Sequence, residues 1–190
     1  MIKNVCVYAA SSDAVATEYI EAAESLGSLL AERGYGLVYG AGNLGLMGVL
    51  AKAVHEGGGH VIGVIPDRLR DLELAYEAAD ELIVTESMSE RKAIMASRAD
   101  AFVAMPGGFG TLEEILEVLV LKQLWYHQKP IAFLNTNSIY SRLIGFFESL
   151  MAQQFIKDSH RTLYEVCETP AEAVMYIESY KPSVPHQKWF

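Results

Sequence analysis

Two hydrophobic patterns alternate along this chain. Short, nearly continuous apolar runs give way to longer stretches in which apolar residues return every three or four positions. The first pattern reads as buried strands and the second as amphipathic helices. Strands are predicted at residues 4–10, 36–39, 60–65, 81–85, 101–105, 130–134 and 163–168. A first helix, capped by Asp13 and ended by Gly34, carries Tyr19, Ala22, Ala23, Leu26, Leu29 and Leu30 on one face. Further helices are predicted from the glycine loop at 40–45 to about Glu56, at 88–97, from Thr111 to about Tyr126, at 138–154, and from Pro170 to near Tyr180. Proline at that first helical position is favourable. Residues 67–80 are polar and read as a loop with a helical piece, stopped off from the preceding strand by Pro66. The tail from Lys181, with Pro182 and Pro185, reads as a frayed end.

Strands alternating with helices predict a parallel sheet covered on both faces. The expected fold is therefore α/β: a doubly wound, Rossmann-like parallel sheet of about seven strands with helices on both faces. Residues 1–180 are expected to form one domain and 181–190 a tail. In the common doubly wound order, strand one lies between strands two and four, with five next outward. Ligands of such sheets bind beyond the carboxyl ends of the strands. The loops at 11–12, 40–45 and 107–111 all lie at such ends and are expected to share one crevice.

The composition narrows the function classes. With 51% hydrophobic and 21% charged residues the chain is globular, and no apolar run has the length of a membrane span. The N-terminus runs straight into a strand-like segment without a signal-peptide layout, so cytoplasmic residence is expected. Cys6 and Cys167 both sit in strand-like runs and read as two buried thiols rather than a disulfide framework. A formal net charge of −9 argues against nucleic-acid binding through a broad basic surface. It leaves room for an anionic small molecule held by a local cluster of donors.

The strongest chemical signal is Pro106-Gly107-Gly108-Phe109-Gly110-Thr111-Leu112-Glu113-Glu114. Three glycines before a helix let backbone N–H groups converge where the helix dipole is positive, which favours a phosphate. Glu114 stands one turn further on. Two readings of it remain open: an acid acting on the bound ligand, or the Glu of a capping box Thr111-x-x-Glu114. Gly40-Ala41-Gly42-Asn43-Leu44-Gly45 fits G-x-G-x-x-G, but it follows the second strand, and Asp67, the only acidic residue placed to hold a ribose, lies beyond Pro66. Ligand contact is expected there, and NAD binding is not. Arg91 and Lys92 near a helix start oppose the dipole, so they read either as solvated charges or as partners of phosphate or purine acceptors. Arg98 and Asp100 read as structural polar groups. His55 to His60 lacks metal-ligand spacing and reads as a helix end followed by a turn. The helix from Thr111 is apolar nearly all the way round, which points to a second cover and a homodimer.

Taken together these residues resemble the LOG family, cytokinin-activating phosphoribohydrolases once labelled lysine decarboxylases. The pattern P-G-G-x-G-T-x-x-E is met by Pro106, Gly107, Gly108, Gly110, Thr111 and Glu114, and an Arg-Lys pair by Arg91 and Lys92. Ser11-Ser12, Leu37-Val38-Tyr39-Gly40, Gly45-Leu46-Met47-Gly48 and Gly63-Val64-Ile65-Pro66 are similar too, so the likeness runs from about Val5 to Leu134. Ala41 and Ser89 depart from the family pattern, which bears on the base preferred. The resemblance implies hydrolysis of the N-glycosidic bond of an N6-modified adenosine 5′-monophosphate, or of AMP itself, to free base and ribose 5-phosphate. It implies Arg91 and Glu114 as the catalytic pair, a homodimer, and no cofactor or metal. Ser12, Gly40, Gly42, Gly45, Met88, Lys92, Gly107, Gly108, Gly110 and Thr111 are the candidate substrate contacts. The alternative of another class is a non-catalytic module that binds AMP-like nucleotides. A decarboxylase would need a pyridoxal Schiff base on a lysine, for which Lys92 is the one lysine expected near the site.

Overall fold

The computed structural model describes residues 2–70 and 75–182. Seven strands form one all-parallel sheet: β1 (Asn4–Tyr8), β2 (Gly36–Tyr39), β3 (Val61–Pro66), β4 (Glu81–Thr85), β5 (Ala101–Ala104), β6 (Ile131–Leu134) and β7 (Glu165–Cys167). The helices are α1 (Thr17–Glu32), α2 (Gly45–Glu56), α3 (Asp67–Arg70), α4 (Met88–Arg98), α5 (Phe109–Gln123), α6 (Ser141–Ala152) and α7 (Pro170–Ser179). The inner strands are buried on both faces, whereas the edge strands β4 and β7 are partly exposed, and alternate residues feed separate cores. Val5, Val7, Leu37, Tyr39, Val61, Val103 and Leu134 pack with α1, α2 and α7. Cys6, Tyr8, Val38, Ile62, Val64, Phe102 and Phe133 pack with α4, α5 and α6. This is the doubly wound α/β sheet the pattern predicted.

The strand order differs from the expected one. It runs β4-β3-β2-β1-β5-β6-β7, so β1 lies between β2 and β5, and β4 sits at the edge beside β3. The chain adds three strands in one direction from β1, then α4 carries it back across β3, β2 and β1. Asp100 seats the returning strand. Its carboxylate accepts the backbone N–H groups of Lys3 (2.8 Å) and Asn4 (3.0 Å), which sets β5 beside β1. The consequence for the site is direct: β2, β1 and β5 are neighbours, and their three terminal loops meet at the point where the winding reverses.

Several element ends also differ. Asp13 does not cap α1, which starts at Thr17 behind Ala16. Its carboxylate instead accepts the N–H of Gly45 at 2.6 Å, tying the loop after β1 to the start of α2. Pro66 closes β3 from within, paired with Thr85. α5 begins two residues before the predicted Thr111. α6 starts at Ser141, after a 3-10 turn at Thr136–Ser138. The helical piece expected in 67–80 is α3, whereas 71–74 lie outside the described residues, as do 183–190 of the expected tail. α2 ends at Glu56 with Gly57 as its cap and Gly58 at φ 76°, the turn foreseen at His55 to His60. No helix among the described residues is long and apolar enough to cross a membrane.

Candidate active site

A cavity of about 390 Å³ opens at the carboxyl ends of β1 and β5. That volume is within the range of small-ligand sites. Its walls come from the loop after β1 (Ala9, Ala10, Ser11, Ser12), from Met47 of α2, Leu69 of α3, Met88 and Arg91 of α4, and residues 108–111, Glu113 and Glu114 around the start of α5.

The α5 end is built to hold an anion. Gly108 is the cap residue, with extended backbone and no side chain to offer, and its carbonyl accepts the first intrahelical bond, from Leu112 N–H at 3.0 Å. The amides of Phe109, Gly110 and Thr111 therefore precede the ladder of i→i−4 bonds, at the positive end of a fifteen-residue helix. The three glycines have different reasons. A Cβ at Gly107 would stand 2.1 Å from Thr111 Oγ1, so only glycine lets the chain turn there. Gly108 and Gly110 have nothing within 4 Å of a hypothetical Cβ, so their bareness leaves open space at the cavity wall.

This start of α5 removes the capping-box reading. Thr111 is the third residue of the helix rather than its cap, and Glu114 lies a full turn inside. Glu114 is buried, and its Oε1 lies 3.8 Å from Nη1 of Arg91. Arg91 is equally buried. Its Nε donates to the Val64 carbonyl at 3.1 Å and Nη2 to the Gly40 carbonyl at 3.3 Å, while Nη1 faces Met88 Sδ at 3.7 Å. Two backbone carbonyls, one within β3 and one just after β2, thus fix the guanidinium, and Nη1 is left toward Glu114 and the cavity. α4 can present Arg91 this way because it crosses back over β3 and β2. Its start is secured by Ser87, whose hydroxyl accepts Glu90 N–H (3.1 Å), and by Glu90, which accepts Glu86 N–H (2.8 Å). That pair is a Ser-x-x-Glu signal present in the sequence and missed there.

Of the candidate contacts, Ser12, Met88, Gly108, Gly110 and Thr111 line the cavity together with Arg91 and Glu114. Gly107 shapes the turn just outside it. Gly40, Gly42 and Gly45 are not in its wall. Gly40 lies beneath Arg91, Gly42 packs against Met47 Cε, and Gly45, at φ 59°, lies against the backbone of Ser11 and Ser12. The N–H of Gly45 is already taken by Asp13, so the second glycine loop offers a supporting surface rather than a second anion hole. Lys92 is also outside the wall. Its ammonium pairs with Glu113 and Glu117 on α5, which push its pKa up. Met47, Leu69 and Phe109 are wall residues not among the candidate contacts; Phe109 and Met47 lie inside motifs quoted from the sequence, and only Leu69 had no motif to flag it. Arg98 pairs with Glu81, in keeping with its structural reading.

The comparisons with known proteins agree with one another. The family model described as "Possible lysine decarboxylase" matches residues 47–177. The Arabidopsis thaliana protein named cytokinin riboside 5′-monophosphate phosphoribohydrolase LOG5 is 44% identical over 95% of this chain and 79% of its own length. The Oryza sativa subsp. japonica protein named cytokinin riboside 5′-monophosphate phosphoribohydrolase LOG is 44% identical over 95% of this chain and 74% of its own. Among solved structures, the molybdenum cofactor carrier protein of Chlamydomonas reinhardtii superposes with a TM-score of 0.73 at 26% identity, covering 94% of this chain and 97% of that one. The molybdenum cofactor binding protein of Rippkaea orientalis, at 24% identity and a TM-score of 0.70, shares the fold. With the family model spanning residues 47–177 and both plant relatives matching 95% of the chain, this protein belongs to the LOG family.

Proposed function

We propose that the protein hydrolyses the N-glycosidic bond of an adenosine 5′-monophosphate, plain or N6-modified, releasing the free base and ribose 5-phosphate. The observation that carries this reading is the buried Arg91–Glu114 pair, 3.8 Å apart, in the wall of a cavity that also holds the open N-terminus of α5. The names of the plant relatives support the same reaction.

Breaking C1′–N9 sends the bonding pair to the purine and leaves positive charge on C1′ and the ring oxygen. The amides of residues 108–111 and the Thr111 hydroxyl hold the 5′-phosphate, which fixes the ribose relative to Glu114. The Glu114 carboxylate stabilises the developing charge and orients the water whose oxygen bonds to C1′. That water's surplus proton passes to the carboxylate and from it, through solvent, to the departed purine nitrogen, so the base is released neutral and the Glu114 carboxylate is restored. Arg91, anchored by Val64 and Gly40, directs Nη1 to the departing base or to a ribose hydroxyl. Residues 1–180 act as one nucleotide-binding unit, and the two free, buried cysteines support cytoplasmic residence.

The lysine decarboxylase description of the family model does not fit these residues. A pyridoxal Schiff base needs an uncharged lysine in the cavity. Lys92 is held charged by two carboxylates. Lys122, which burial brings down to about 8, donates to the Leu163 carbonyl at 2.7 Å near the far end of α5. Neither lines the cavity.

The homodimer belongs to the same proposal. Val120 of α5 and Leu124 at its C-cap are exposed, and an apolar groove between α5 and α6 is lined by Leu116, Leu119, Phe147, Leu150 and Leu163. A second copy across this face covers both, and a monomer mass by light scattering removes that part of the reading.

The deciding experiment incubates the protein with AMP and with N6-isopentenyladenosine 5′-monophosphate and separates the products by chromatography. Free base and ribose 5-phosphate are expected. The molybdenum cofactor carriers among the structural neighbours give a second reading, a binding module; nucleotide bound and recovered intact decides for it.

A further inference from the structure

Lys92 was expected at the substrate, yet its surroundings assign it another task. It follows Arg91 on α4, and Glu113 precedes Glu114 on α5, so the two helices face each other through adjacent rungs. One rung is Arg91–Glu114. The other is Lys92, whose ammonium touches the carboxylates of both Glu113 and Glu117. Those acids are four residues apart on one helix face, the spacing that lets a single cation bridge them. The Lys92 side chain is only 18% exposed, and it does not reach the cavity wall. Glu113 does: it lines the cavity beside the amides proposed to hold the phosphate.

An unpaired carboxylate there repels a phosphate. In the ion pairs between α4 and α5, Glu113, Glu114 and Glu117 face Arg91 and Lys92, and losing Lys92 makes this set more negative where a dianion must bind. We propose that Lys92 is a positioning residue: it draws Glu113 and Glu117 away from the phosphate subsite and holds α5 in register with α4, without touching the substrate. The inference rests on the phosphate placement proposed above.

The test compares wild type, Lys92→Met, Glu113→Gln and the double variant Lys92→Met/Glu113→Gln. Equilibrium affinity for AMP and for ribose 5-phosphate is measured alongside kcat and KM. Lys92→Met is expected to weaken affinity and raise KM about tenfold, with a smaller change in kcat, and the loss shrinks at high salt because the repulsion is screened. Glu113→Gln alone tightens binding. The double variant returns to within about twofold of wild type, and Lys92→Arg keeps most of the affinity. A double variant as weak as Lys92→Met overturns the proposal, since the lysine then contacts the ligand itself. Unchanged affinity in Lys92→Met overturns it as well. The two readings fail separately: a wild type that binds AMP without releasing base sinks the hydrolase, and the affinity series still judges Lys92. A wild type with no affinity for either phosphate ester sinks both.

Discussion

The guanidinium of Arg91 rests on the backbone of Gly40, with Nη2 3.3 Å from the Gly40 carbonyl. A methyl group on Gly40 would stand 1.9 Å from that nitrogen. Gly40 leaves the volume in which the buried arginine lies, so under the proposed mechanism it supports Arg91 rather than forming part of the cavity wall. Gly40→Ala is expected to push the guanidinium, the free end of a long side chain, off its anchors while the fold survives. Turnover should fall by roughly 10²-fold, in line with the cost of misplacing a catalytic group by about 1 Å. Circular dichroism and a thermal midpoint near wild type, together with the rate, check this. A fully active Gly40→Ala enzyme removes the support role.

Glu114→Gln keeps the shape of the side chain and removes its charge. The proposed chemistry uses that charge at C1′, so turnover is expected to fall roughly 10²- to 10⁴-fold. AMP affinity should change far less, because the phosphate is proposed to sit on the amides of residues 108–111, which line the cavity at the start of α5. Single-turnover base release and equilibrium binding on the same preparation separate the two effects. Near-normal turnover removes Glu114 from the mechanism.

His127 carries the pH dependence that is clearest away from the cavity. Its Nε2 hydrogen-bonds the Val118 carbonyl at 2.9 Å, while Nδ1 accepts the Lys129 N–H at 3.2 Å, so the ring sits neutral. Burial pushes its pKa down from 6.5 to about 4. A depressed value means that the unfolded chain binds the proton first as pH falls. The stabilisation is present above 6.5 and is lost as pH drops from 6.5 toward 4. The wild type should therefore lose more stability across that window than His127→Gln, as read from urea midpoints at matched pH values. Parallel losses in the two proteins contradict the assignment.

Two consecutive residues in the 3-10 turn after β6, Asn137 (φ 52°) and Ser138 (φ 58°), are left-handed without being glycine. Asparagine tolerates this region; serine is strained by about 1 kcal/mol. Ser138 is exposed, and its N–H bond to the Asn135 carbonyl, 2.8 Å, uses backbone alone. Ser138→Gly relieves the strain at a smaller entropic cost, so a net gain of about 0.5 kcal/mol, or one to two degrees in Tm, is expected. A lower Tm contradicts it.

The fold was legible in the sequence because buried parallel strands and amphipathic helices each leave a local period. Strand order was not, because it depends on partners distant in sequence: Asp100 finds Lys3 and Asn4 only once the chain has wound back. The same division runs through the site. Gly107, Gly108, Gly110 and Thr111 act through the backbone next to them, so their spacing could be read directly. Gly40 and Lys92 instead contact residues on other elements, Arg91 for the one and Glu113 and Glu117 for the other, and such partners leave no spacing signal. Asp13 was misread for the same reason. It caps a helix, as its type and position promised, but the helix is α2, thirty-two residues further on.

Gly110 separates stability from binding most cleanly. It is the second residue of α5, where glycine costs helix stability relative to alanine, and a Cβ built on it meets nothing within 4 Å. The fold has no steric reason to refuse alanine there, and the helix has a reason to prefer it. Gly110→Ala should raise stability by up to about 1 kcal/mol. The same methyl group stands in the open space of the cavity wall, beside the amides proposed to hold the phosphate. Affinity for AMP and ribose 5-phosphate should therefore fall about tenfold or more, through lost approach of the phosphate to the backbone. Denaturation midpoints and calorimetric titration on one protein read both quantities. Higher stability with weaker binding is the expected pair. Higher stability with unchanged binding moves the phosphate away from this turn of α5, and with it the alignment of C1′ to Glu114.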